Sequence, residues 1–172
     1  MTDQMTMVGR GKALTPTDYK TLEGQRIQAL MAAVAALPGA ALVATGPQGA
    51  PFFAAALVAV AASFMFWIFT DAIYHLSIVQ PRAPEEWKRL IRAGYRYQWS
   101  CVGYGAASIL LSMCGFAGIH AGIVGPWSVA TGFILALAFF VAVLVHTIWA
   151  SHERNQISAQ ARAASIANKA AA

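Results

Sequence analysis

Charge is scarce in this chain. Its 172 residues include only 12 Lys or Arg and 7 Asp or Glu, 11% of the total. A soluble domain of that length carries roughly 43 charged residues. With 58% hydrophobic residues and a mean hydropathy of +0.55, there is too little polar surface for a water-soluble globule, so a soluble enzyme is excluded. The same apolar content excludes a disordered chain. Cysteine is scarce too: there are two, Cys101 and Cys114, too few for a disulfide-stapled secreted module. They stand 13 residues apart, about 20 Å along a helix, and cannot pair with each other. Cys-x-x-Cys, a Gly-rich phosphate loop and His-Glu-x-x-His are all missing, which removes the common signatures of disulfide exchange, nucleotide binding and zinc hydrolysis. A single polytopic membrane domain is left.

What is present is ordered by where the charges fall. None lies between Ile27 and Thr70, 44 residues, or between Tyr97 and His152, 56 residues. One helical crossing of a bilayer needs about 20 residues, so each block suits two. Each block also has helix breakers near its middle, Gly46-Pro47-Gln48-Gly49-Ala50-Pro51 and Gly118 to Pro126, and such clusters turn the chain. The expected fold is an all-α membrane protein of four transmembrane helices arranged as two hairpins, with spans near 27–45, 52–74, 98–118 and 127–150. The bundle, 27–150, would be flanked by an N-terminal segment, 1–26, and a C-terminal tail, 151–172.

The charges occupy three segments: 1–26, 71–96 and the tail beyond Ala150, with four, five and three Lys or Arg respectively. Four spans put all three segments on one side, and the positive-inside rule makes that side the cytoplasm of an inner membrane. The 26-residue leader is long for a cleaved signal peptide, so the first apolar stretch is expected to stay as a span. The net charge of +5 follows from this topology and gives no argument for nucleic acid. Thr15-Pro16-Thr17-Asp18 reads as a helix start, with a Thr cap, Pro in first position and an early acid. Pro38-Gly39 predicts a kink in the first span. In the cytoplasmic loop 75–97, Pro84-Glu85-Glu86 opens a short amphipathic helix with Trp87, Leu90 and Ile91 on one face. Its candidate contacts to lipid headgroups or to an acidic cytosolic partner are Trp87, Lys88, Arg89, Arg92 and Arg96.

Small residues recur at four-residue steps: Ala55, Ala59 and Ser63; Gly103 and Ala107; Ser108 and Ser112; Gly132 and Ala136; Ala138 and Ala142. Such rows let membrane helices approach closely and point to a homo-oligomer. Ionisable or polar groups in or beside spans mark candidate functional positions. Asp71 stands at the inner interface with His75 one turn on, expected to pair with Arg82, Arg96 or His75. His146 sits deeper, in the fourth span. Ser108 and Ser112, with His146, are candidates to line a pore between copies. No span centre holds an acid, which argues against coupled transport. Together these features suggest a non-enzymatic, self-associating membrane anchor, sensor or pore subunit of a larger assembly, without a cofactor. The alternative is a redox subunit holding haem or quinone near His75 and His146, although the two histidines differ by about one helical turn in depth.

Overall fold

The computed structural model describes residues 16–41, 49–78, 84–123 and 125–170. They form four helices, α1 (Pro16–Ala41), α2 (Ala50–Ile78), α3 (Pro84–His120) and α4 (Pro126–Ala170), and no strand. Three are long and apolar enough to cross a membrane, over Ala50–Leu76, Lys88–His120 and Val129–Gln160. This is the build of an integral membrane protein. The breakers act where expected. Helix α1 starts at Pro16, α4 starts at Pro126, and α3 ends in a Schellman cap: Gly122 adopts φ +67°, while the N–H groups of Ile123 and Gly122 bond the carbonyls of Gly118 and Ile119 at 3.1 Å. Gly24 does not interrupt α1, which also runs through Pro38-Gly39 to Ala41. The far end of the expected first span, 42–45, lies outside the described residues.

The expected short amphipathic helix is not a separate element. Residues from Pro84 onward belong to α3, which continues for 37 residues into the apolar stretch. Nothing between Pro84 and His120 stops a helix. Leu90, Ala93, Gly94, Tyr97, Gln98 and Cys101 carry one buried face across the junction at three- and four-residue steps. The basic residues of this segment therefore project in line with the span and do not lie flat on the membrane. Helix α4 is prolonged in the same way, through 45 residues and about 68 Å.

Contacts between the helices set their directions. Cys101 Sγ donates to the Ala29 carbonyl (3.0 Å) and Ser108 Oγ to the Ala36 carbonyl (3.3 Å). The offset is 72 both times, so α1 and α3 run parallel in register. Ser63 Oγ of α2 donates to the Cys101 carbonyl at 2.9 Å. Helices α2 and α3 are the closest pair, and α1 packs on both. Helix α4 packs on α2, with Gly132 close against Pro51. It reaches α3 mainly through long side chains. One face of α3 makes the tight core possible. Gly94, Gln98, Cys101, Gly105, Ser108 and Ser112 follow one another at steps of four and three and are all buried. Small side chains let backbones approach, and the Cys101 thiol and Ser108 hydroxyl bond facing carbonyls of α1.

Candidate functional site

Two polar clusters lie at the end of the bundle that carries the charges. In the first, Arg26 Nε of α1 is 2.5 Å from Asp71 Oδ1, and His75 Nε2 is 3.4 Å from Asp71 Oδ2. The Arg26 guanidinium also lies 5.2 Å from the Tyr74 ring. Asp71 thus does sit beside His75, but its cation is Arg26 and not Arg96; Arg82 lies outside the described residues. The nearer cation won because α1 packs against α2 at this depth, whereas Arg96 faces α4.

The second cluster closes the α3–α4 seam. Arg96 pairs with Glu153. Tyr97 Oη is 3.0 Å from Glu153 Oε2 and 3.2 Å from the Ala150 carbonyl oxygen, so one phenol proton serves two acceptors. Further from the apolar zone, Arg89 donates to Gln160 Oε1 at 2.8 Å. The Arg96 guanidinium lies 5.6 Å from the Trp149 ring, and Arg154 lies 5.3 Å from the Phe69 ring. Arg154 thus ties α4 to α2, and the Arg96, Tyr97 and Arg89 contacts join the charged extensions of α3 and α4 into a two-helix stem. Lys88, Arg89 and Arg92 are exposed along it. Trp87 lies in the early turns of α3, and its side chain lies outside the described residues.

Deeper in the seam, Tyr104 Oη and His146 Nδ1 are 2.8 Å apart. The His146 ring rests on Phe66, 4.7 Å between centroids, and Tyr104 stacks on the same Phe66 at 5.6 Å. His146 is therefore a bridge between α4, α3 and α2. It does not meet His75, which lies nine residues beyond Phe66 on α2, about 13 Å further along the axis. The two histidines expected as a cofactor pair each have a different protein partner. Among the described residues no three His, Cys, Asp or Glu side chains gather as metal ligands.

Openings flank the Tyr104–His146 bridge. Towards the charged end is a crevice of about 440 Å³ whose lining includes Arg96, Trp99, Ser100, His146 and Trp149. On the other side is an apolar cleft of about 780 Å³ between α2, α3 and α4, lined among others by Phe52, Leu110, Cys114, Leu135 and Phe139. Both openings exist because α3 and α4 stand apart. Ser108 and Ser112 open onto neither: both are fully buried in the α1–α2–α3 core. Within the single chain they face inward, away from the openings beside His146.

Spacing alone did not reveal Tyr97, Tyr104 or Glu153. Tyr97 and Tyr104 are seven residues apart, hence on one helical face, which was the available signal. Three buried glutamine atoms, Gln25 Nε2 and Oε1 and Gln98 Oε1, have no hydrogen-bond partner among the described residues. They belong to a polar layer at the level of the Gln98–Gln28 amide contact. No protein-family model, curated protein or solved structure matches the chain, so its reading rests on this geometry.

Proposed function

We propose that the chain is a non-enzymatic, four-span subunit of an inner membrane that associates with itself in the bilayer and presents a basic cytoplasmic end. The observation that carries this reading is the placement of charge. The described charged side chains sit at the starts of α1 and α3 and at the ends of α2 and α4, which the parallel and antiparallel contacts bring to one end. A membrane protein with its cations at one end keeps that end in the cytoplasm. Treating α1 as the fourth span is supported by Ile27, Leu30, Met31, Val34 and Leu37, which form an exposed apolar stripe of helical period. Self-association is supported by α4, whose Ile134, Leu137, Val141, Leu144, Val145 and Ile148 face outward beside the exposed small residues Ala138 and Ala142.

Cysteine accessibility tests the topology. In a Cys101→Ser, Cys114→Ala background, Gln48→Cys and Ala121→Cys should react with a membrane-impermeant maleimide added outside intact spheroplasts, and Ala159→Cys should react only after lysis. Labelling of Ala159→Cys from outside would refute the orientation. Oxidative cross-linking through Ala138→Cys tests self-association, with a dimer band expected; only monomer, at high protein density in the membrane, would refute it.

A further inference from the structure

We propose that the α3–α4 crevice at the charged end is a binding site for one anionic phospholipid. This deepens the preceding reading and rests on its placing that end at the membrane interface. Arg92, Arg96 and Trp99 stand at steps of four and three on α3 and so share one face; all three are exposed. The acid beside them is already engaged: Glu153 takes Arg96 on one oxygen and Tyr97 on the other. Its side chain is only 15% exposed, whereas that of Arg96 is 50% exposed. The carboxylate therefore points inward and holds the guanidinium in place, laid over Trp149, with further N–H groups turned outward. Arg92 bonds the Lys88 carbonyl through Nε and is exposed. Two neighbouring guanidinium forks match the oxygens of a phosphate.

The depth order along the face is that of a lipid. From Arg92 to Trp99 is about 10 Å of helix, enough to cross the headgroup layer of about 5–8 Å on one side of a bilayer. Trp99 and Trp149, 67% and 51% exposed, have the amphipathic rings that settle at that level. One turn deeper Gly103 presents no side chain, and the space where one would stand is open, so an acyl chain can lie against the backbone. The volume of about 440 Å³ suits a small-molecule site. Among the described residues at the rim, Arg92 and Arg96 stand beside one acid, Glu153, which is already engaged, so the described rim favours a negative headgroup.

Native mass spectrometry of the detergent-purified protein, incubated with equal amounts of phosphatidylglycerol and phosphatidylcholine of the same acyl chains, tests the site. Wild type should retain phosphatidylglycerol about fivefold over phosphatidylcholine, the effect of one cation near an anionic lipid surface. Arg92→Gln with Trp99→Ala should abolish the preference. Arg162→Gln, on the stem about 20 Å beyond Trp149 along α4 and about 8 Å beyond the level of Arg92, should leave it unchanged, and Arg92→Lys should retain part of it. Equal retention of both lipids by wild type would overturn the site. If Arg162→Gln lowers the preference as much as the crevice variant, attraction is spread over the whole basic end; the crevice then fails while the orientation stands. Failure of the orientation itself is read separately, from the maleimide labelling.

Discussion

Two glycines two residues apart, on opposite faces of α3, should respond oppositely to the same substitution. A Cβ on Gly105 would stand 2.9 Å from the Ala32 carbonyl oxygen of α1, whereas one on Gly103 meets nothing within 4 Å. Ordinary carbon–oxygen contacts begin near 3.3 Å, so Gly105→Ala forces α1 back by about half an ångström. Forcing a methyl into a packed interface costs about 1–3 kcal/mol. The retreat also loosens the Cys101–Ala29 and Ser108–Ala36 hydrogen bonds on the same interface, each worth about 0.6 kcal/mol within a membrane. The sum is about 2–4 kcal/mol, or roughly 4–16 °C in Tm by the scaling for a chain of this size. Gly103→Ala should be neutral, or more stable by up to about 1 kcal/mol through reduced backbone freedom in the unfolded chain. Thermal unfolding of both variants in the same detergent reads the difference. Equal stability of the two would refute the close α1–α3 contact, and with it the argument that small residues on this face hold the core.

Other contacts give further expectations. A double-mutant cycle on Tyr104→Phe and His146→Phe should return a coupling of about 0.6–1.7 kcal/mol; a value near zero, by unfolding in mixed micelles, would mean the two rings do not bond. Tyr97→Phe should destabilise by about 1–3 kcal/mol, because Glu153 loses a charge-assisted partner, while Tyr95→Phe, on an exposed neighbour, should have no effect on the same melt. Arg26→Gln should lower stability by about 1 kcal/mol, since the pair is partly exposed, and Asp71→Asn in the same chain should restore it; additive losses in the double variant would refute the pairing. In 1 M salt the Arg26→Gln penalty should shrink.

Much of this architecture is written in where charge and helix breakers fall. Pro16, Pro126 and the Gly118–Pro126 cluster mark helix ends, because proline suits the first turn of a helix and glycine the position just past its end, although the lone Pro38-Gly39 pair does not end α1. The continuity of α3 was hidden, since a polar, basic stretch followed by an apolar one looks like two elements when hydropathy alone is read. The inward turn of Ser108 and Ser112 was hidden for another reason. Helix α3 has small residues on two faces, Gly103 and Ala107 on one, Gly105, Ser108 and Ser112 on the other, and periodicity cannot say which face meets α1. Nor could spacing choose among several cations for Asp71, because Arg26 comes close only once α1 and α2 are packed.

The same packing divides the molecule into parts of unequal stiffness. Helices α1, α2 and α3 meet through small residues and carbonyl-directed hydrogen bonds, an arrangement with little room to slide. Helix α4 instead meets α3 through long side chains: Tyr97 and Arg96 on Glu153, Arg89 on Gln160, and Tyr104 on His146. Elements with few buried contacts open at lower free energy than the core, so the seam is where this protein moves most easily. Both openings lie along that seam, on either side of the Tyr104–His146 bond. A molecule lodged in either one contacts α3 and α4 together, and it changes the separation of the two helices by as much as it prefers one separation to another. The basic stem is the continuation of those two helices beyond the apolar zone. A change in their separation within the bilayer should therefore change the spacing of Arg89 and Gln160 as well.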